Sequence, residues 1–491
     1  MTRRTLLLSG LAAAALRMCA ADDGSPAPYG ALPSRRQLRW HDLETYSFLH
    51  FTVNTFTDRE WGEGNEDPNV FHPTAFDPDS IVETLKNSGM KAVILTCKHH
   101  DGFCLWPTKT TRHSVRSSSW RNGKGDVVKD ISEAARRHGL LFGVYLSPWD
   151  RNNSSYGTPA YIPLYRRQLT ELLSNYGPIV EVWFDGANGG SGYYGGARET
   201  RTIDKTTYYD WPNTWAIVRT LQPQAVIFSD AGPDIRWVGN EKGFAAPTCW
   251  ETYTPRGQNG GSAVPGDVDT KQSVTGTVDG ADWMPPECDV SIRPGWFWHP
   301  SENDKVRTPD NLMDLYFKSV GRGASLLLNV PPDRQGRIYE ADAASLREFG
   351  SRRDAMFRTN LAAHARIRAS NVRANNRRFG AENLVDGNRE TYWTTHDSAR
   401  TAEVIFEFPA PVTFDVIRIR EALPLGQRVR AFSVEAADEG GAWKSVASET
   451  SIGNCRLIRL ASKVTSARVK LAVTRAAACP ALSEFGLFAG A

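Results

Sequence analysis

A chain of 491 residues is too long for one hydrophobic core, so two or three domains are expected. Its 58 lysines and arginines are nearly matched by 55 aspartates and glutamates, which excludes the broad basic field that holds nucleic acid. The 7 cysteines are too sparse for a disulfide scaffold and have no CxxC spacing for zinc, although one bond, Cys455 to Cys479, is compatible with an exported domain.

In chain order the first feature is a leader. Arg3 and Arg4 precede a small, apolar run from Leu6 to Leu16, and Cys19-Ala20-Ala21 stands before Asp22 and Asp23, the layout of a signal peptide over residues 1–21. The mature protein is expected to be exported, periplasmic or secreted. The Arg-Arg-Thr-Leu-Leu-Leu run is similar to a twin-arginine signal, and the ordinary secretory route accepts the same charges. Cys19 raises lipidation as an alternative, against which stand Leu16, Arg17 and Met18, poor matches to the small residues that processing prefers. No later segment has the apolar length that a membrane span demands.

From about residue 45 to 357, short apolar runs alternate with amphipathic stretches, the pattern of βα units. Predicted strands cover 48–56, 92–97, 140–146, 179–184, 225–229, 235–238, 248–253 and 325–330, with predicted helices at 79–88, 127–138, 165–176, 214–221 and 312–320. This succession predicts an α/β fold, a (β/α)8-like barrel over residues 30–360 whose second half is poorer in helices. Beyond residue 365 the pattern becomes short alternating runs at 403–408, 416–420, 431–436, 443–446 and 468–473, an all-β sandwich domain reaching 491. Gly-rich stretches at 188–197 and 258–262 read as long loops over the barrel mouth.

The run Ile179-Val180-Glu181-Val182-Trp183-Phe184 ends at Asp185-Gly186. In a barrel of parallel strands such a tip faces the active site, which makes Asp185 the first candidate for its centre; the plainer reading is a carboxylate that caps a helix or shapes a turn. Other predicted tips are polar too: Lys98-His99-His100-Asp101-Gly102, Tyr145-Leu146-Ser147-Pro148-Trp149-Asp150 and Gly239-Asn240-Glu241. The first strand contributes His50, with Glu60 and Trp61 in the loop after it. Loop tryptophans such as Trp61, Trp149, Trp237, Trp296 and Trp298 either pack down or offer the flat apolar faces that carbohydrate sites use.

His99 and His100 invite a metal reading. Neighbours on one strand point to opposite faces, however, so at most one would reach a given ion, and no metal is expected. Neutral imidazoles suit gripping sugar hydroxyls instead, each ring with one donor and one acceptor. Glycoside hydrolysis needs two carboxyl groups, and Asp185 with Glu241 is the pair selected. Glu251, in Thr248-Cys249-Trp250-Glu251, is the rival acid on the next predicted strand tip.

The segments TCKHHDGF, GVYLSPWDRN, EVWFDG, IRWVGNE, ECDVSIRPGWFWHP and LLLNVPPDRQGRI, in that order between His41 and Phe357, together resemble the α-L-fucosidases of glycoside hydrolase family 29. The resemblance implies a (β/α)8-like barrel, a retaining double displacement, and no metal or organic cofactor. It implies Asp185 as nucleophile, Glu241 as acid/base, and His50, Glu60, Trp61, His99, His100, Tyr145 and Trp296 as residues that hold fucose. The WVGNE segment resembles the subgroup that acts on α-1,3 and α-1,4 linkages, which implies an exo-acting enzyme for Lewis-type oligosaccharides or glycoprotein glycans. Two alternatives stand beside it: a broad-specificity α-L-fucosidase, and a carbohydrate-binding protein that keeps the scaffold without catalysis. The loop 188–208 is longer than expected, on the acceptor side of the pocket.

Ala381-Glu382-Asn383-Leu384-Val385-Asp386-Gly387-Asn388, continuing to Thr391-Tyr392-Trp393, resembles the discoidin or coagulation-factor type C domain, a galactose-binding-like sandwich. That likeness implies glycan binding through exposed loop aromatics. The alternative is a buttress for the barrel, with Trp393 in its core.

Overall fold

The computed structural model describes residues 24–490. The predicted signal peptide, with Cys19, lies outside them.

Strands Thr45–Leu49, Ala92–Lys98, Leu141–Leu146, Glu181–Trp183, Val226–Ser229, Ile235–Trp237, Pro286–Ser291 and Ser325–Asn329 close into a barrel of eight. All pairings are parallel, and the first strand meets the last with Thr45 opposite Leu326. Closure follows from alternation along each strand. Phe48, Ile94, Tyr145, Trp183, Val226 and Phe228 fill the interior, while Leu49, Val93, Leu95, Val144, Val182 and Ile227 pack outward under the helices. Each buried side chain of this size contributes roughly 1.5–3 kcal/mol.

Helix Val127–His138 illustrates how the outer layer is specified. Asp126 accepts the Lys129 backbone N–H at 2.9 Å, and Gly139 (φ 74°) stops the helix in a left-handed cap. Val127, Val128, Ile131, Ala134 and Ala135 face the strands, and Arg136, Arg137 and His138 complement the dipole of the last turn. Losing the Asp126 cap should cost about 1 kcal/mol.

Two expectations about elements are corrected. The predicted strand 48–56 is a strand only through Leu49, because Thr52 caps a short helix, Val53–Thr57, by accepting the Asn54 N–H at 3.2 Å. The predicted strand 248–253 is not in the barrel. Only Thr252–Tyr253 is extended, and it pairs antiparallel with Asp282–Trp283 outside the closed sheet. The seventh barrel strand is instead Pro286–Ser291, whose inward residues Glu287 and Asp289 are carboxyls that disguise its apolar alternation. Glu287 accepts from Trp183 Nε1 at 2.8 Å and from the Tyr46 hydroxyl, while Glu181 accepts from Trp40 Nε1 at 3.2 Å. Burial, then the charge of Glu287, pushes the Glu181 carboxyl far up beneath the site.

The C-terminal residues form a seven-stranded antiparallel sheet dominated by the long pair Ala402–Glu421 and Arg456–Ala476. Register breaks between Glu407 and Val412, and between Phe414 and Val416, let the first of these bend over its own core. Trp393 is wholly buried there, its indole N–H donating to Asn371 O at 3.0 Å, and Phe406 stacks on Phe485 at 4.4 Å. The Cys455–Cys479 bond is absent: all six described cysteines are free and buried. Cys455 packs with the barrel's outer core, whereas the Cys479 sulfur accepts from Arg428 Nη1 at 3.1 Å. No helix among the described residues is long and apolar enough to cross a membrane.

The two domains meet along a polar seam. Thr248 and Thr450 share a hydroxyl contact of 2.6 Å, Cys249 N donates to Ser451 Oγ at 3.0 Å, and Glu251 N donates to Gln427 Oε1 at 2.8 Å. Arg430 lies over the Trp250 ring at 4.8 Å.

Candidate active site

The fourth barrel strand delivers Asp185 to the mouth one residue after Phe184. Its two oxygens are held apart by different donors. Tyr145, at the end of the third strand, donates its hydroxyl to Oδ2 at 2.8 Å, and Ala187 N donates to Oδ1 at 2.7 Å. The side chain is 22% exposed, and His100 Nε2 stands 3.8 Å from Oδ2. Burial, then the Asp185 charge, pushes the Tyr145 phenol far up, so it stays a donor.

His99 and His100 both face this pocket, contrary to the expectation from strand alternation. The reason is local: the second strand ends at Lys98, and past its end the two-residue period no longer governs direction. Their rings lie 4.1 Å apart, with His99 stacked on Tyr145 and His100 against Trp149. Lys98 takes the outward side, donating to Asp150 Oδ2, Tyr161 OH and Gln168 Oε1 at 3.2, 3.0 and 2.9 Å.

The hydrogen-bond network assigns the imidazole tautomers. Ser147 spends its proton on Trp149 O at 2.8 Å, so its oxygen accepts from His100 Nδ1 at 2.7 Å and leaves Nε2 a bare acceptor. Asn329, at the tip of the eighth strand, donates Nδ2 to Ser291 Oγ and Trp296 O at 2.9 and 2.7 Å; its Oδ1 therefore accepts from His50 Nδ1 at 2.9 Å. His50 Nε2 is likewise an acceptor. Asn54 Nδ2 approaches His99 Nδ1 at 3.4 Å, which turns the Nε2 proton of His99 outward as a donor. Burial pushes His50 and His100 down to about 4 and His99 well below its ordinary value, so all three rings are neutral near pH 7. Two acceptors and one donor on a rigid wall match a set of hydroxyl groups.

Glu60 closes the rim by accepting from Trp296 N, Phe297 N and His299 Nε2 at 2.8, 3.1 and 2.6 Å. It thereby ties the loop after the first strand to the loop after the seventh. Burial opposes charging of His299, but its bonds to Asp58 and Glu60 outweigh it and push the ring up. Trp61 is 52% exposed and meets His100 and Trp149 edge-on at 5.1 and 5.5 Å. Trp296 tilts against His50 at 5.2 Å and donates its indole N–H to Glu241 Oε2 at 3.3 Å. Partial withdrawal from water pushes the Glu241 carboxyl up; the Trp296 bond opposes this, and the charges of Asp185 and Glu60 add to it.

Glu251 is elsewhere. It is 1% exposed in the seam, accepts Asn454 N at 2.9 Å through Oε1, and has no partner for Oε2. Burial pushes it up to about 8. Its expected place on a strand tip fell with the strand itself.

Several site residues escaped the sequence reading. Asn329 ends Leu326-Leu327-Leu328 as Asp185 ends its own run, so the same apolar-then-polar signal could have found it. Asn54 and Asp289, the latter accepting from Trp237 Nε1 at 2.7 Å, carry no such mark. Asp230 follows the fifth strand, accepts Gly266 N at 3.0 Å, and is pushed up to about 7 by burial and then by Asp185.

Residues 33–352 match the alpha-L-fucosidase family and residues 366–485 the F5/8 type C domain family. Alpha-L-fucosidase 1 of Arabidopsis thaliana is 44% identical over 466 residues, 94% of this chain and 88% of that one. Among solved structures, a glycoside hydrolase 29 family member from an unknown rumen bacterium aligns with a TM-score of 0.84 at 41% identity, covering 94% of this chain and 78% of that one. A family 29 fucosidase of Ruminococcus gnavus, solved in complex with fucose, aligns with a TM-score of 0.84 at 34% identity, covering 95% and 96%.

Proposed function

The chain belongs to the alpha-L-fucosidase family of glycoside hydrolases, and from that premise we propose an exo-acting, retaining enzyme that removes α-1,3- or α-1,4-linked fucose from Lewis-type oligosaccharides or glycoconjugates. The observation that carries this reading is the asymmetry of two carboxyls at one mouth. Asp185 is clamped by Tyr145 and Ala187, whereas Glu241 hangs from Trp296 with its proton affinity raised.

In the first step an Asp185 oxygen attacks the anomeric carbon as the glycosidic C–O bond breaks, and Glu241 gives its proton to the departing oxygen. In the second step Glu241 takes a proton from water, whose oxygen displaces Asp185 and frees fucose with net retention. Tyr145, hydrogen-bonded to Asp185, keeps the attacking oxygen aimed. His50, His99 and His100 offer neutral donors and acceptors to the ring hydroxyls, Trp61 and Trp296 wall the sugar, and Glu60 holds the Trp296 loop closed. The fucose-bound Ruminococcus gnavus neighbour supports the assignment of the pocket to fucose.

The test is incubation with defined fucosylated oligosaccharides and an aryl fucoside, with NMR of the first-formed anomer. Release of α-L-fucose from Lewis trisaccharides ahead of the aryl fucoside supports the reading. A β-anomer first, or preference for the aryl fucoside, overturns its retaining or linkage part respectively. Export of the mature chain belongs to the same proposal and is checked by N-terminal sequencing of the periplasmic and secreted fractions.

A further inference from the structure

Two polar hollows lie beside the chain that follows Trp61 and Trp149. The first, about 340 Å³, begins two residues beyond Trp61 at Glu63 and runs between Arg151 and the hairpin of Gly190–Gly192 with Glu199–Arg201. The second, about 590 Å³, continues toward Arg112, His113 and Asn152, and the two share Asn65, Tyr193 and Arg198. The hairpin is bolted to the fucose pocket, because Tyr194 OH accepts from Trp149 Nε1 at 2.9 Å and Arg151 Nε donates to Ser191 O at 2.7 Å.

The carboxylates along this groove are already engaged. Glu66 accepts Glu63 N and Gly64 N at 2.6 and 2.9 Å, Asp67 accepts Asn69 N at 2.9 Å, and Glu63 and Glu199 pair with Arg59 and Arg201 at 3.2 and 2.6 Å. Of the cations, Arg151 is engaged as well, and two are not. Arg112 and Arg198 are exposed, and neither guanidinium has a carboxylate or carbonyl partner among the described residues; Arg198 only overhangs the Tyr193 ring at 5.9 Å. On the same wall His113 is 6% exposed, and its buried Nε2 has no partner.

The groove's unspent donors are the two planar forks of Arg112 and Arg198. Acceptors also remain, at His113 Nε2 and at the second oxygens of Glu63, Asp67 and Glu199, but a neutral hydroxyl meets a fork with a single oxygen. A carboxylate or sulfate brings lone pairs alone, in the geometry a guanidinium reads two at a time. We propose that this rim groove is a subsite for an acidic sugar unit, a carboxylate-bearing residue or a sulfate ester, on the glycan from which fucose is removed, with Arg112 and Arg198 taking the anionic oxygens. The inference rests on the fucosidase reading of the adjoining pocket. Glu66 and Asp67 limit the gain, so the preference for an acidic over a neutral glycan should be about tenfold.

The test compares kcat/KM on a neutral fucosylated oligosaccharide with the same compound bearing a terminal carboxylate sugar or a sulfate ester. Wild type and the Arg112→Ala/Arg198→Ala double variant are measured side by side. The expected result is a tenfold wild-type preference, carried by KM, for one or both acidic compounds, lost in the double variant while the neutral rate stays within twofold. The two acidic arms identify which anion is read. Equal rates on neutral and acidic compounds, or a preference that survives in the double variant, overturn the proposal. Calorimetric binding of the same compounds to Asp185→Ala protein separates this from the parent reading. If no arm releases fucose from active enzyme the linkage assignment fails, yet tighter binding of the acidic compound still supports the groove, and equal binding removes it.

Discussion

At the barrel mouth burial falls on imidazoles, and at the domain seam it falls on a carboxyl; the same loss of water moves the two in opposite directions. His50 and His100 are driven down to about 4, and Glu251 is driven up to about 8. The imidazoles of the mouth and Glu251 of the seam thus end up uncharged near neutrality, but the two regions differ in what they leave unspent. The mouth keeps free lone pairs and protons aimed at a cavity, whereas the seam directs Glu251 Oε1 and Gln427 Oε1 at backbone N–H groups across the domain boundary. A binding site and a structural joint can thus contain equally perturbed acids and bases. Convergence on open space, rather than a shifted pKa, tells them apart.

The largest effect expected from breaking this contrast is at the mouth. Asp185→Ala should lower kcat/KM by about 10⁴-fold or more while circular dichroism and Tm stay at wild-type values. Retained turnover would move bond cleavage away from this carboxylate. Glu241→Ala should cost roughly 10²–10⁴-fold on poor leaving groups, less on activated ones, with partial recovery in azide. Glu251→Gln, measured in the same assay, should leave the rate unchanged; a loss equal to that of Glu241→Ala would exchange the two roles.

Stability should show the converse pattern. Glu251→Ala leaves Asn454 N without its acceptor in a buried joint, while the backbone bond to Gln427 survives, and a cost of about 1–3 kcal/mol is expected in denaturant unfolding. Glu251→Gln keeps the shape and should be near neutral at pH 7.

The smallest effects are in the pH profile of Tm, where the two regions oppose each other. For His50 and His100 the unfolded chain binds more protons between pH 6.5 and about 4, so their stabilisation is complete above 6.5 and is lost as pH falls through about 4. For Glu251 the folded chain holds the extra proton between pH 4.5 and about 8, so stability is present below 4.5 and is lost as pH rises through about 8. Glu251→Gln should flatten the alkaline limb and leave the acid limb in place. An alkaline limb unchanged by that substitution would dissociate it from the seam.

Local pattern marked Asp185 and Glu241 as candidates and made most barrel strands legible, since an apolar run that ends in a polar residue leaves its mark within a few positions. The seventh strand was hidden because its inward residues Glu287 and Asp289 are acids satisfied by Trp183, Tyr46 and Trp237, partners that only barrel closure supplies. The orientation of His99 and His100 was misjudged by one register step, at the point where the strand gives way to loop. Glu251 was misplaced for the complementary reason: its neighbours come from a second domain, 203 positions away at Asn454.

By itself, the order of apolar runs and amphipathic helices determined an α/β barrel followed by an all-β domain, because periodicity is a short-range property written into consecutive residues. Only the tertiary structure decided which polar tips share a cavity. Glu60 meets the Trp296 backbone across 236 positions, and Asn329 orients His50 across 279, contacts created by closing the barrel and folding its loops inward. Sequence spacing carries no information about which side chains that closure will bring within hydrogen-bond reach.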